Sequence, residues 1–109
     1  AIESDASGYV PRGFGFSGSD EQLNKIQDWL KYFDKNTISY FSKGGGGADI
    51  GPLHRQTGTP MFGLSIDGQK YFEMHHTAKD VFELVHAREL ELGTASLASL
   101  VYLIDKYGL

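Results

Sequence analysis

Two stretches of the chain place apolar residues at the spacing of an α-helix. The first predicts a helix over roughly residues 20–33, and either Ser19 or Asp20 suits its N-cap. The second predicts a helix from Ala87 to Tyr107 that stops at Gly108. The apolar positions are Leu23, Ile26, Leu30 and Phe33 in the first helix, and Leu90, Ala95, Leu97, Ala98, Val101, Leu103 and Ile104 in the second.

Shorter apolar and β-branched runs predict strands. Thr37–Phe41 and Pro60–Ile66 are two such runs, and Ala1–Ser4 is interpreted as the end of a third strand that carries Asp5 at its tip. Ligand-binding groups collect outside the carboxyl ends of strands in α/β sheets, so Asp5 is well placed for binding, although capping a turn is an equal alternative. The glycine- and aromatic-rich stretch Tyr9–Gly18 is interpreted as a loop packed over the sheet.

A short helix is predicted over Ile50–Gln56, with Asp49 as its cap and Gly58 at its end. Asp67 and Gly68 are expected to turn the chain after the Pro60–Ile66 strand. Strands that alternate with helices predict the α/β class, with a mixed or largely parallel sheet in a single domain.

Length and charge exclude several functions. At 109 residues and 12.0 kDa the chain forms one domain at most. Its formal net charge of -4 and its scattered Lys and Arg residues argue against a nucleic-acid-binding surface. No apolar run approaches the ~20 residues of a membrane span. The N-terminus lacks a signal-peptide pattern and opens within a strand pattern, so we expect a chain cut from a longer protein.

The segment Tyr71–Val81 concentrates residues that can do chemistry at neutral pH. Glu73, His75, His76 and Asp80 lie within eight positions, and imidazole is a common zinc ligand. This segment is too polar for a core strand, and we predict that it binds something.

Two other features give weaker evidence of a functional site. The four glycines at 44–47 lack the Gly-Lys-Ser/Thr of a phosphate loop, and His54 and His86, without ligands at suitable spacing, are interpreted as surface residues.

Four groups of residues in order resemble one enzyme family. They are Glu3-Ser4-Asp5 followed by Pro11 and Gly13-Phe14, Gly47-Ala48-Asp49-Ile50, Gly58-Thr59-Pro60, and His75-His76-Thr77 with Asp80. This order is similar to the C-terminal part of the di-zinc exopeptidases, which include carboxypeptidase Q and many bacterial aminopeptidases. The resemblance covers essentially the whole chain. It implies a three-layer α/β/α sandwich and hydrolysis of peptides or dipeptides near chain ends.

The resemblance also implies roles for individual residues. Asp5 and His76 would each ligate one of two zinc ions, which activate a shared water for attack on the peptide carbonyl. His75 is a candidate oxyanion or substrate contact. Asp80 would orient His76 from behind, or cap the segment that follows.

Asp49 and Gly47 are hypothesised, from position alone, to line the substrate end. Val81 departs from the Thr usual in the family, and Ser7 looks inserted beside the usual Asp-Ala-Gly. Neither change removes a ligand.

The resemblance also implies an incomplete site. The family's first His, its bridging Asp and its Glu-Glu pair, which holds the general base, would lie upstream of Ala1. We therefore expect a fragment whose partner is the upstream part of the same catalytic domain, with weak or absent zinc binding and no activity in isolation. The family is commonly secreted or periplasmic, and the open sheet edge of a fragment could allow homo-oligomers.

Three alternatives stay open at this point. A glutaminyl-cyclase-like acyltransferase would share the scaffold but use one zinc ion. A non-catalytic relative, like receptor ectodomains of this fold, would bind no metal, although such a protein has no reason to retain Asp5 and His76 at the crevice. A small stand-alone binding domain is the third.

Overall fold

A four-stranded mixed sheet is the centre of the fold. The computed structural model describes residues 1–6, 8–75, 77–78 and 81–109, with Lys70, Phe72 and Met74 described by their backbone alone. The strands are β1 (Ile2–Glu3), β2 (Pro11–Ser17), β3 (Tyr40–Lys43) and β4 (Met61–Ile66). Their order in the sheet is β1-β4-β2-β3, and β2 runs parallel to β3 and antiparallel to β4, while β1 runs parallel to β4.

Helices connect these strands. They are α1 (Asp20–Gln27), α2 (Gly51–Thr57), α3 (Gly68–Met74) and α4 (Ala87–Tyr107), with 3-10 turns at Asp28–Tyr32 and Phe82–Leu84. The predicted α/β class with a mixed, mostly parallel sheet is confirmed. Among the helices that the structure describes, none is long and apolar enough to cross a lipid bilayer.

One face of the sheet carries the hydrophobic core. Side chains alternate along a strand, so Phe14 and Phe16 point to the same face of β2. Their partners in register on the neighbouring strands, Phe41 and Phe62, complete an aromatic layer. Helices α1 and α4 and the 3-10 turn after α1 cover this layer with the buried side chains of Ile26, Trp29, Leu100 and Leu103.

The prediction of a loop over Tyr9–Gly18 is wrong, because Pro11–Ser17 forms the central strand β2. The glycines that suggested a loop lie on the opposite face from the phenylalanines and are needed there. The Tyr40 ring covers Gly13, and backbone covers Gly15, so both positions lack space for a side chain.

Other predicted boundaries shift by a few residues. The first helix is α-helical only to Gln27 and then tightens into the 3-10 turn, while Ser19 forms the predicted N-cap within a capping box. The strand predicted over Thr37–Phe41 starts only at Tyr40. Residues 37 and 38 belong to a turn instead, because their N–H groups both donate to the carbonyl of Asp34.

The ends of the two other predicted helices are informative. Helix α4 runs from Ala87 to Tyr107 as predicted, and Gly108 ends it at a positive φ of 68°. Gly58 ends α2 in the left-handed conformation as predicted. The prediction that Asp49 caps α2 is wrong, because Ile50 is the N-cap residue and it makes no side-chain cap. Asp67, predicted as a turn residue, caps α3 by accepting a hydrogen bond from the Gln69 N–H.

Candidate functional site

Three carboxylates meet where β1 ends. Glu3 ends β1 on the face of the sheet opposite the core, where its register partner Gly63 also lies, and Asp5 follows two residues later. Asp49 reaches the same place from the segment before α2. One carboxylate oxygen from each residue lies within 4.8 Å of the other two. In the described parts of the chain this is the one group of three acidic or imidazole side chains close enough to share a metal ion.

The glycine-rich segment carries Asp49 to this position. Its backbone lies flat on the sheet, because Gly45 packs on Gly15 of β2 and Gly46 packs on Gly63 of β4. Ser17 fastens the segment, since its hydroxyl donates to the Gly45 carbonyl at 3.1 Å and accepts from the Gly45 N–H at 3.0 Å. The run of glycines therefore serves close packing of backbone on backbone.

Glu3 holds the far end of this segment. Its Oε2 atom accepts a hydrogen bond of 2.8 Å from the Gly47 N–H and one of 3.3 Å from the Ile50 N–H. The Gly47 carbonyl accepts from the Gly51 N–H at 3.0 Å, so both backbone polar groups of Gly47 are engaged within the protein. The Glu3 carboxylate also fills the space that a side chain at position 47 would occupy.

The pKa values of the Glu3 and Asp5 carboxyl groups are shifted in opposite directions. Burial acts to raise the pKa of Glu3, but the N–H groups of Ile50 and Gly47 outweigh it and bring the pKa below its ordinary value of 4.5. Partial desolvation raises the pKa of Asp5 above 3.8, although the residue is exposed overall, and the negative charge of Glu3 adds to the rise. The backbone therefore stabilises the charged form of Glu3, whereas desolvation and the neighbouring carboxylates disfavour the charged form of Asp5.

His75 lies within electrostatic range of Asp5. A positive charge on its imidazole would lower the Asp5 pKa, in the opposite sense to the charge of Glu3. The imidazole is half-buried, stacks on the Tyr71 ring at a centroid distance of 4.3 Å, and places Nε2 3.1 Å from the Tyr71 hydroxyl. Tyr9 packs edge-on against Tyr71 at 6.1 Å. The His75 ring is thus held by an aromatic group that links α3 to the loop after β1.

A small pocket opens between the end of β1, the glycine-rich segment and β4. Its volume is about 110 Å³, and the residues that line it are Glu3, Asp5, Ala6, Gly46, Gly47, Gly63 and Leu64. A larger cavity of about 420 Å³ lies between the first 3-10 turn and the end of α4, lined by Tyr32, Tyr102 and Tyr107 among others. None of the three clustered carboxylates lines that larger cavity. The size of a cavity therefore does not identify the candidate site in this protein.

The structure brings together part of the predicted site. Asp5 and Asp49 lie side by side, and Gly47 lines the same pocket. The predicted zinc ligand His76 and its predicted supporting residue Asp80 lie outside the described residues, so these two assignments stay predictions. The sequence interpretation missed Glu3 as part of the cluster, and the available signal was a second carboxylate only two residues before Asp5 at the predicted strand end.

The two remaining histidines differ from each other. His86 is exposed, as predicted. His54 was expected on the surface but is half-buried, and its Nδ1 lies 2.8 Å from the Thr59 carbonyl oxygen at the end of α2. It supports the turn into β4 and lies apart from the acidic group.

The fold and the site define an α/β protein with three carboxylates grouped at the end of a strand. Sequence comparison shows which known proteins the chain resembles. The chain is similar to carboxypeptidase Q from Bos taurus, with 28% identity over 103 residues that cover 94% of this chain and 22% of the relative. Carboxypeptidase Q from Homo sapiens is 27% identical and that from Mus musculus 25% identical, each over 103 residues.

The chain therefore spans 22% of the length of these curated relatives. No family model matches the chain. No solved structure matches it either. The expected resemblance is confirmed as a similarity to peptidases over nearly the whole chain.

Proposed function

We propose that the protein acts as a zinc-dependent metallo-exopeptidase of the aminopeptidase or dipeptidase type, with this chain forming the C-terminal part of the catalytic domain. The observation that carries the proposal is the meeting of Asp5 and Asp49 beside His75, in a chain similar to carboxypeptidase Q over 94% of its length. The substrates would be peptides or dipeptides, and the proposed location is secreted or periplasmic.

The donor set at the end of β1 suits zinc in part. Carboxylate oxygen and imidazole nitrogen are both zinc ligands, and a catalytic zinc uses three protein ligands. Asp5 is the carboxylate that the family resemblance assigns to the metal, and Oε2 of the neighbouring Glu3 already accepts two backbone N–H groups. His76 would supply the imidazole. Zinc ions bound there would supply Lewis-acid chemistry, polarising the peptide carbonyl and activating water near neutral pH.

The other residues of the site would bind and orient the substrate. Asp49 is exposed beside Asp5, where its charge suits the free amino group of a peptide end. His75, held by its stack on Tyr71, could donate a hydrogen bond to the developing oxyanion of the reacting carbonyl. Gly47 lines the small pocket beside Asp5, and that position is what supports a substrate contact there.

The 109 residues by themselves are expected to be inactive. The family resemblance assigns the general base to a Glu-Glu pair, and this sequence contains no two adjacent glutamates. Without a base, and with few zinc ligands, efficient peptide hydrolysis is not expected. Zinc-dependent turnover by the purified 109 residues would contradict this part of the proposal.

The test uses the protein as expressed from its own gene. Release of amino acids from dipeptides and aminoacyl anilides is measured with zinc, after chelation and after zinc is restored, alongside an Asp5→Asn variant. We expect turnover that chelation abolishes, zinc restores, and Asp5→Asn lowers by at least about a hundredfold. A single bound zinc with cyclisation of N-terminal glutamine would instead identify an acyltransferase. No metal binding and no turnover would leave a binding domain.

A further inference from the structure

Glu3 differs in its bonding from the two acidic residues beside it. A single oxygen of its carboxylate receives the N–H groups of both Gly47 and Ile50. Two backbone N–H donors use both lone pairs of this oxygen, and they therefore fix the orientation of the carboxylate plane. A carboxylate bonded in this way is suited to hold the chain in place.

The two amides that Glu3 binds flank Asp49 in the sequence. Gly47 precedes Asp49 by two residues and Ile50 follows it directly, so the hydrogen bonds fix the backbone on both sides of Asp49. Glu3 also lies two residues before Asp5, and one carboxylate oxygen of each lies within 4.8 Å of the other. One carboxylate therefore joins the backbones that carry the two other members of the acidic cluster.

Gly47 is shaped for this contact. A Cβ at position 47 would lie 2.2 Å from Oε1 of Glu3, so any side chain there would displace the carboxylate. At the other end of the segment, Ser17 holds Gly45 with two hydrogen bonds. The glycine-rich segment is thus fastened at two points, and only the Glu3 point is next to the acidic cluster.

We infer that Glu3 is a positioning residue: it binds no metal and no substrate itself, and its carboxylate sets the distance between Asp5 and Asp49 by holding the amides of Gly47 and Ile50. The inference rests on the proposed function for the role of Asp5. This role requires the length of the Glu3 side chain and one acceptor oxygen. It does not require the negative charge of Glu3.

Three substitutions separate these properties in the protein expressed from its own gene. Glu3→Gln keeps the length and an acceptor oxygen but loses the charge. Glu3→Asp keeps the charge but is one methylene too short, and Glu3→Ala loses both. Glu91→Ala, at an exposed residue of α4, is the matched control. Zinc affinity is measured by competition with a chromophoric chelator, and amide hydrogen exchange is measured on the metal-free proteins.

The inference predicts that Glu3→Gln and Glu91→Ala bind zinc within about threefold of wild type, while Glu3→Asp and Glu3→Ala bind about 10–100-fold more weakly. The amides of Gly47 and Ile50 should exchange about tenfold faster in the two weakened variants. The Gly45 amide, held by Ser17, should keep its wild-type rate. Circular dichroism confirms that each variant is folded.

Other outcomes overturn the inference. If Glu3→Gln weakens zinc binding as much as Glu3→Ala does, the charge of Glu3 is needed and Glu3 is a ligand. If the exchange of Gly47 and Ile50 is unchanged in Glu3→Ala, the carboxylate does not hold the segment. Absence of zinc binding by the wild-type protein contradicts the proposed function, and amide exchange then decides alone whether Glu3 positions Asp49.

Discussion

The backbone of Gly45 lies directly on the backbone of Gly15 in the central strand. A Cβ at position 45 would lie 2.0 Å from the carbonyl carbon and oxygen of Gly15. Backbone atoms of a paired strand cannot move aside as the end of a side chain can. The acidic site therefore depends on two glycines that touch each other and carry no functional group.

Gly45→Ala should destabilise the protein strongly for this reason. We expect the free energy of unfolding to fall by about 3 kcal/mol, at the upper end of the usual cost of overpacking. Gly8→Ala is the control, because a Cβ there would only touch the Val85 side chain at 3.5 Å. Its effect should be neutral, or stabilising by up to about 1 kcal/mol. Urea denaturation of both variants measures the difference, and equal stabilities would argue against the close contact.

Phe14 should be among the most costly core residues to remove. Its side chain is fully buried, stacks on Phe41 at a centroid distance of 5.7 Å and packs against Phe33 at 6.0 Å. Phe14→Ala should cost about 3–5 kcal/mol, and Phe14→Leu should cost less. Phe82 is 85% exposed, so Phe82→Ala should change stability by no more than about 0.5 kcal/mol. Thermal and urea unfolding would contradict the packing if the two alanine variants were alike.

Tyr32 and Tyr107 should titrate apart at alkaline pH. Their rings stack, and their hydroxyl oxygens lie 3.2 Å apart. This hydrogen bond is the largest cause that lowers the pKa of Tyr107 and raises that of Tyr32 relative to 10.0, and Lys106 lowers Tyr107 further. Stability from Tyr107 is therefore gained as pH rises through its lowered pKa, while that from Tyr32 is lost as pH rises through its raised pKa.

The variant Tyr32→Phe removes this hydrogen bond. We expect the Tyr107 pKa to rise towards its ordinary value, while Tyr40→Phe, on the far side of the molecule's central sheet, leaves it unchanged. The chemical shift of the phenolic ring carbon, followed by NMR across the alkaline range, measures both. An unshifted Tyr107 pKa in Tyr32→Phe would show that the hydrogen bond does not control the titration.

The sequence predicted those parts of the fold that depend on local patterns. Helix α4 has an apolar stripe many turns long and Gly108 to end it, so both of its boundaries are correct. Strand β2 was missed because its glycines have low strand propensity on their own. They are explained only by Tyr40 and Gly45, which approach from distant parts of the chain.

The candidate site shows the same division. The sequence placed Asp5 at a strand tip and Asp49 at the substrate end as hypotheses, and the structure brings these two residues together. The part played by Glu3 could not be predicted, because its partners are backbone N–H groups 44 and 47 positions away. Backbone donors carry no sequence signal, so contacts of this kind emerge only from the fold.

The most direct test of the account is to locate zinc in a crystal of the protein expressed from its own gene. Diffraction data collected on both sides of the zinc absorption edge give an anomalous map of the metal alone. We expect a zinc peak about 2.0–2.2 Å from a carboxylate oxygen of Asp5, with Glu3 still bonded to the Gly47 amide. A fully loaded protein with zinc elsewhere, or no peak at saturating zinc, would contradict the central claim.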